Sequence, residues 1–166
     1  MVARMGAPVF VAVRTVSITD LKRHLPTYQA AWTASGRPGR GDVGMSVPLY
    51  VAETARQARE EAEASTMHFF RSISKALKKS DGATAQTAEA RAARANRLSE
   101  ITYDEILSEY AVVGSPEEVV DRLSALREEM GFSTISTWMN PGGLIPNERV
   151  LKSMRLFAER VAPRLA

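Results

Sequence analysis

The sequence of 166 residues has no cysteine, few aromatic residues and no long hydrophobic run. Without cysteine the chain forms no disulfide, thiol nucleophile or thiolate metal site, and this absence fits a reducing compartment. No apolar stretch approaches the ~20 residues that cross a bilayer, and the N-terminus lacks the hydrophobic core of a signal peptide. The sequence therefore predicts a cytoplasmic protein with no membrane span.

Charge of one sign is not in large excess either. The chain has 22 basic and 19 acidic residues, a net charge of +3, and the two signs are interspersed, so a nucleic-acid partner is not predicted. The only histidines, His24 and His68, have no metal-ligating partner at helical spacing, so no metal site is predicted. Gly-rich phosphate loops and a Gly-x-Ser-x-Gly elbow are also missing.

What is present is an alternation of strands and helices. Residues 8–13 form a nearly continuous apolar run, residues 43–51 alternate with period two, and residues 132–139 are rich in β-formers. Helical patterns separate these segments, so we expect about three parallel strands with flanking helices. Pro48 cannot donate a ladder hydrogen bond, so the second strand is either at an edge or irregular at that point.

Helix starts are marked by hydroxyl residues followed three positions later by an acid or amide. Ser17, Thr54 and Ser115 are the predicted N-caps. Residues 112–114, just before the third cap, are predicted to be a loop. Gly131 is the expected C-terminal stop of the helix that Ser115 begins. Pro26 lies inside the first helical pattern, where it either kinks the helix or marks the start of a second piece.

Residues 80–97 differ in composition from the rest of the chain. They are rich in Ala, Thr, Glu and Arg, and no large apolar side chain occurs from residue 81 to residue 96. Such a segment buries too little area to offset its own ordering entropy. We interpret it as a mobile insertion or as a weakly held helix that faces solvent.

Four segments in register resemble the bacterial luciferase-like family of flavin-dependent monooxygenases. They are YQAAWTASG at 28–36, VPLYVAET at 47–54, VGSPEEV at 113–119 and LKSMRLFAERVAP at 151–163. The resemblance implies that residues 1–166 are one domain, the C-terminal portion of a TIM (β/α)8-type barrel. It also implies reduced FMN as cofactor, with a deazaflavin as the alternative, and a small organic substrate that is oxidised with O2.

The N-terminal strands of that family are missing here, so the resemblance assigns no catalytic residue to this chain. It does direct attention to the loops at the carboxyl ends of the strands, where barrel active sites form. These loops contain Arg14 and Thr15, then Glu53 and Thr54, and finally residues 140–143. The cofactor-binding residues predicted from them are Arg14, Thr15, Asn140, Gly142 and Gly143.

Each candidate has a structural alternative. Arg14 clamps a flavin phosphate or pairs with an acid at the rim of the sheet. The two glycines allow a ligand close to the backbone or make a plain turn, and Asn140 donates to a ligand or caps its loop. Trp32 and Trp138 stack on a ring or belong to the core.

A partial barrel also predicts partners. Its outer strands expose unpaired edges, and one face of its core is open. We therefore expect the chain to associate with itself or with a chain that completes the barrel, in addition to binding a flavin and a small molecule.

Overall fold

A parallel sheet flanked by helices organises the chain, and the computed structural model describes residues 2–79 and 85–165. The strands are β1 (Val9–Ala12), β2 (Val43–Val51), β3 (Val112–Gly114) and β4 (Thr134–Trp138). The helices are α1 (Ile18–Thr33), α2 (Ala55–Lys79), α3 (Ala85–Glu100), α4 (Tyr103–Glu109), α5 (Pro116–Met130), α6 (Asn147–Leu156) and α7 (Ala162–Leu165). A 3-10 turn (Ala3–Met5) precedes β1, and a π turn (Phe157–Val161) joins the last two helices.

Strand β2 is the centre of the sheet. It pairs in parallel with β1, β3 and β4, and all nine of its residues are buried. Backbone groups of Asp42 and Ser46 bond β1, whereas the carbonyl of Val43 bonds Ser133 just before β4. Because alternate residues of a strand direct their backbone groups to opposite edges, β1 and β4 flank β2 on its two sides. The predicted parallel α/β architecture is confirmed.

Pro48 lies inside this central strand, at a point where no ladder donor is needed. The pairing with β1 extends to Ser46, and the pairing with β3 begins at Leu49. The even-numbered residues of β2 bond both of these strands, so the N–H that proline lacks would face the gap between them. Of the two predicted alternatives, the edge strand is wrong and the local interruption of the ladder is confirmed.

The predicted loop at residues 112–114 is wrong, because these residues form β3. The strand is only three residues long and pairs with Leu49, Tyr50 and Val51. It adds a fourth strand to the three that were expected. Strands β1, β2 and β4 lie side by side in chain order, as in an arc of a barrel. Strand β3 pairs with the carboxyl end of β2.

The predicted helix signals have the expected geometry. Ser17 accepts from the backbone N–H of Asp20, and Thr54 accepts from that of Gln57. Ser115 forms a complete capping box with Glu118, and Gly131 ends α5 in the left-handed conformation with φ of 69°. The first helix continues through Pro26, so a separate helix that starts there is not formed.

Residues 85–97 of the predicted insertion belong to α3, while residues 80–84 lie outside the described residues. This helix packs against α2: Ala95 and Leu98 are fully buried, and the Ser74 hydroxyl donates to the Ala95 carbonyl at 2.7 Å. Of the two interpretations, a helix is therefore what the described positions form. The remainder of α3 is mostly exposed, and its mobility stays a prediction.

The main core lies on the face of β2 that carries its odd-numbered residues. Val43, Met45, Val47, Leu49 and Val51 pack there with apolar side chains of α1 and α5. In the part of the chain that the structure describes, no helix is long and apolar enough to cross a membrane.

Replacement of the Ser115 cap tests the local signal on which α5 depends. Ser115→Ala removes the acceptor for the Glu118 N–H and should lower the free energy of unfolding by about 1 kcal/mol. Ser124→Ala, in the interior of the same helix, is the matched control and should have little effect because alanine favours helix. Urea titration of both variants measures the difference; equal stability of the two would contradict a capping role for Ser115.

Candidate functional site

The opposite face of the sheet is the candidate site, and we call it the inner face. Strand register aligns its side chains in rows across β1, β2 and β4. The rows are Phe10, Gly44 and Thr134, then Ala12, Ser46 and Ser136, then Pro48 and Trp138. Most of these side chains are small or hydroxylated, in contrast to the aliphatic side chains on the other face. In a closed barrel this face would line the interior.

The amino-terminal part of the inner face is open to solvent. The Phe10 side chain is 63% exposed and lies across Gly44, so closely that a Cβ added at Gly44 would come within 2.5 Å of the ring. Thr134 and Ala12 are also exposed. A large aromatic ring in contact with water on an otherwise small-residue surface marks an apolar face that nothing covers among the described residues.

Arg14 and Trp138 meet at the carboxyl end of the inner face. The Arg14 guanidinium carbon lies 6.0 Å from the centroid of the Trp138 ring, and Arg14 makes no ion pair with a described residue. Phe69 from α2 contacts the same ring edge-to-face at 5.5 Å. Trp138 is 36% exposed, so part of its surface is accessible. Arg14 is therefore an exposed cation on an aromatic platform, and the predicted pairing with an acid at the rim does not form among these residues.

The loop after β4 is held by its own asparagine and by α2. The Asn140 side-chain oxygen accepts from the Ser65 hydroxyl at 2.8 Å and from the Ile145 N–H at 3.2 Å. The Asn140 amide nitrogen donates to the Ile145 carbonyl at 3.0 Å, and the Leu144 N–H donates to the Ser65 hydroxyl at 3.1 Å. Asn140 thus caps its own loop, which is one of its two predicted roles.

The two glycines of this loop have different surroundings. A Cβ on Gly142 would lie 1.9 Å from the Ser65 carbonyl oxygen, so the close approach that requires glycine is to α2. Gly143 has φ of +74° and nothing within 4 Å of its Cβ position. Gly143 and Arg14 are the predicted cofactor contacts whose surroundings leave room for a ligand, and Thr15 is half-buried beside Arg14. Binding of a flavin by these five residues stays a prediction.

The remaining predicted loop, at Glu53 and Thr54, takes part in a group of ion pairs at the carboxyl end of the sheet, which we call the ionic rim. Arg160 in the π turn donates to Glu53 at 3.1 Å and to Glu117 at 3.0 Å, and Lys152 lies 3.7 Å from Glu53. Thr54 is occupied as the cap of α2. The C-terminal segment therefore joins the ends of β2 and β3. No sequence motif around Arg160 predicted this role.

Tyr50, at the end of β2, was also not predicted as a site residue. Its hydroxyl donates to Glu61 at 2.6 Å, and Arg149 lies 3.6 Å from the same carboxylate. Burial and then the Glu61 carboxylate raise the pKa of the Tyr50 phenol, which stays a proton donor. Burial alone would raise the pKa of Glu61, but hydrogen bonds from Tyr50 and Gln57 and the charge of Arg149 outweigh it and lower that pKa.

Trp32 lies away from the inner face. Its indole N–H donates to the Pro38 carbonyl at 2.9 Å, and its ring contacts Tyr28 and Arg37 at the end of α1. The predicted stacking role is therefore geometrically open to Trp138 alone. Within the described residues no group of His, Cys, Asp or Glu has the geometry of a metal site.

Comparison with known proteins places this arrangement in a family. A family model described as luciferase-like monooxygenase matches residues 1–134. The chain belongs to the luciferase-like monooxygenase family. Among curated proteins, a search finds no match.

Solved structures show the same fold in larger proteins. Monooxygenase RslO1 from Streptomyces bottropensis has 27% identity and a TM-score of 0.65, and the match covers 99% of this chain and 44% of that one. The oxygenating constituent of 3,6-diketocamphane monooxygenase from Pseudomonas putida, a type II Baeyer–Villiger monooxygenase in complex with FMN, has 18% identity, a TM-score of 0.61 and coverages of 98% and 44%.

A third similar structure uses another cofactor. The coenzyme F420 dependent tetrahydromethanopterin reductase from Methanopyrus kandleri has 17% identity, a TM-score of 0.59 and coverages of 96% and 45%. The chain thus spans less than half of the length of each of these three structures. The luciferase-like fold is established by these matches, and the chain corresponds to part of it.

The Glu61 cluster predicts a pH dependence of stability. Since the folded state holds the pKa of Glu61 below its ordinary value of 4.5, the ionised carboxylate stabilises the protein above that pH. The contribution is lost as pH falls through the lower, folded pKa. Glu61→Gln should therefore be less stable than wild type at neutral pH, and the difference should shrink towards acid. Thermal unfolding between neutral and acidic pH, with exposed Glu128→Gln as control, measures it; a difference independent of pH would disprove the assignment.

The Ser65 hydroxyl should be what keeps the 140–145 loop in place. Ser65→Ala removes a donor to Asn140 and an acceptor for Leu144, and should cost about 1–2 kcal/mol of stability. Amide hydrogen exchange at Leu144 and Ile145 should become faster, while exchange in α5 stays unchanged. Ser72→Ala, exposed on the same helix, is the control, and unchanged exchange at both loop amides in Ser65→Ala would rule out this anchoring role.

Proposed function

We propose that this chain is the C-terminal part of a flavin-dependent monooxygenase that uses reduced FMN and O2 to oxidise a small organic substrate. Family membership supports the proposal, and the observation that carries it is Arg14 on Trp138 at the carboxyl end of an open inner face. A cytoplasmic location is part of the proposal, since the cysteine-free chain fits a reducing compartment.

The flavin would supply the redox and oxygen chemistry when bound, and the residues of this chain would bind and orient it. The Arg14 guanidinium is suited to a phosphate or to a ring carbonyl, because its donors are planar and are not engaged by a described acid. Trp138 offers a flat apolar surface, and Phe69 contacts its ring edge-to-face. A deazaflavin has a similar flat ring, so it is the alternative cofactor.

Reduced FMN should bind the chain when the two are titrated under anaerobic conditions. The titration extends to FMN concentrations of roughly hundreds of micromolar, which would detect binding weaker than a usual cofactor affinity. The two tryptophans allow the site to be located. In Trp32→Phe the remaining Trp138 emission should be quenched by the ligand, whereas in Trp138→Phe the remaining Trp32 emission should not be quenched.

Arg14→Ala should weaken binding about tenfold or more, as expected for the loss of a charge-assisted hydrogen bond. Arg155→Ala, an exposed cation on α6, should leave binding unchanged. Coenzyme F420 in place of FMN distinguishes the alternative cofactor. Absence of saturable binding for both would remove the cofactor proposal for this chain, as would equal quenching of the two tryptophans.

A second candidate function is that of a non-catalytic barrel part that docks on a chain or segment with the remaining strands. The exposed Phe10 and the outer edges of β1 and β4, which pair with no other described strand, favour it. Sedimentation at micromolar concentration tests the surface. Association that is weakened by Phe10→Ser and not by Leu151→Ser supports docking through the inner face; association that is indifferent to Phe10 opposes it.

A further inference from the structure

Two serine hydroxyls in the middle row of the inner face have no hydrogen-bond partner among the described residues. Strand register sets Ser46 of β2 beside Ser136 of β4, and Ala12 of β1 completes the row. Ser46 is only 6% exposed, and Ser136 is half-buried. The other buried serines in this part of the chain all use their hydroxyls; they are Ser17, Ser65, Ser74 and Ser153.

The Ser46 oxygen is nevertheless accessible from the inner face. Within the described ranges, every side-chain oxygen or nitrogen that is sealed from solvent has a partner. The unpartnered Ser46 hydroxyl therefore opens on the side to which its strand position directs it, between Gly44 and Pro48. A hydroxyl this deeply buried lowers stability unless something bonds to it. Since no described residue does, the partner that fits it is a molecule on the inner face.

The rows on either side of the serines are apolar or aromatic. Gly44 and Phe10 lie one row towards the amino ends of the strands, and Pro48 and Trp138 lie one row towards the carboxyl ends. Adjacent rows are about 7 Å apart, because each residue of a strand rises ~3.3 Å. A small molecule that contacts the Trp138 ring therefore reaches the serine row as well, with apolar surface on both sides of the two hydroxyls.

We propose that Ser46 and Ser136 form a substrate subsite that binds the carbonyl oxygen of an uncharged, otherwise apolar molecule. The inference rests on the proposed function, because it places the substrate one row below Arg14 and Trp138, to which the cofactor is assigned. Phe10 and the Trp138 ring would then contact the apolar part of the substrate.

The donor set explains the choice of a carbonyl. Neighbouring strands are about 4.8 Å apart, so two hydroxyl bonds of ~2.8 Å each can converge on one oxygen between Ser46 and Ser136. A carbonyl oxygen has two lone pairs and accepts both bonds. The row contains no charged side chain, so an ionised group there would lose water without gaining a counter-charge. An uncharged acceptor is therefore favoured over a carboxylate or a phosphate.

Water and a protein side chain are the other possible occupants of the serine row. A water molecule bonds to hydroxyls well, but a ligand carbonyl that replaces it keeps the same bonds and adds apolar contact. A side chain of an associating chain would compete with the substrate for the same hydroxyls, so the substrate affinity would then depend on protein concentration. Binding measurements distinguish both cases from a carbonyl ligand.

Removal of the Ser46 hydroxyl tests whether it has a partner within the chain. Ser46→Ala without ligand should be at least as stable to urea as the wild-type chain, because no hydrogen bond is lost and an unpaired hydroxyl is removed. Ser65→Ala, which loses bonds to Asn140 and Leu144, is the comparison and should be less stable. A loss of stability in Ser46→Ala as large as that in Ser65→Ala would overturn the proposal.

Acetophenone with an isotopic label at its carbonyl carbon is the binding probe for the complete, flavin-free chain. In infrared spectra the bound probe should have a lower carbonyl stretching frequency in wild type than in Ser46→Ala with Ser136→Ala, because the hydroxyl donors weaken the C=O bond. The double variant should bind it about tenfold more weakly. α-Methylstyrene, in which CH2 replaces the carbonyl oxygen, should bind to both equally. Thr137→Val, which removes a hydroxyl from the other face of β4, is the matched control and should change neither frequency nor affinity.

Equal carbonyl frequencies in wild type and in the double serine variant overturn the proposal, as does a frequency that changes in Arg14→Ala but not in the serine variant. An affinity for acetophenone that falls as protein concentration rises also overturns it, since a protein side chain then holds the hydroxyls. Absence of saturable acetophenone binding at millimolar concentrations is equally contrary. FMN is absent from these measurements, so failure of the substrate subsite and failure of flavin binding are observed separately.

Discussion

The complete burial of β2 is the constraint on which the rest of the structure depends. A strand covered on both faces and paired along both edges must satisfy every backbone group from its neighbours. The adjacent strands do this up to Pro48, where β4 ends. Beyond that point the Val51 N–H donates to the Ser153 hydroxyl of α6 at 2.8 Å, on a side chain that is itself buried. Helix α6 therefore supplies a hydrogen bond to the central strand beyond the end of β4.

The division of β2 into two different faces explains why a site can exist beside a stable core. Its odd-numbered residues supply the aliphatic core, so its even-numbered residues are free to be small or polar, as Gly44 and Ser46 are. Helix α2, which follows β2, brings Phe69 into contact with Trp138 and Ser65 into contact with Asn140 at the carboxyl end of this polar side. The ionic rim around Arg160 holds the adjacent strand ends, so the position of the site is coupled to the C-terminal segment.

Features of the fold that depend on neighbouring residues in the chain were predictable, and those that depend on distant ones were not. The caps at Ser17 and Ser115 were predicted because a hydroxyl satisfies N–H groups only three positions away. Strand β3 was missed because three residues carry no readable period. They become a strand only where β1 stops and leaves part of the edge of β2 unpaired. The sequence of these three residues does not by itself indicate that this part of the β2 edge is unpaired.

The candidate site divides in the same way. The resemblance to a barrel family indicated which loops lie at the carboxyl ends of the strands, because strand ends can be counted along the chain. It could not indicate which polar group in a loop is engaged: the amide of Asn140 is used by Ser65 and Ile145, whereas the guanidinium of Arg14 lies free on Trp138. The choice between Trp32 and Trp138 likewise depends on distant residues: strand register places Trp138 beside Pro48 on the inner face, whereas the Trp32 indole donates to Pro38 away from that face.

Helix α2 combines these constraints in a single element. Its buried side packs on Tyr50 and on the main core, and is made of small residues and one phenylalanine: Ala58, Ala62, Ser65, Thr66, Phe70 and Ser74. Its outward side is under no such restriction from the fold. Acidic residues towards the start of a helix and basic residues towards its end are both favoured by the helix dipole, so the order of charges along α2 needs no second contact to explain it.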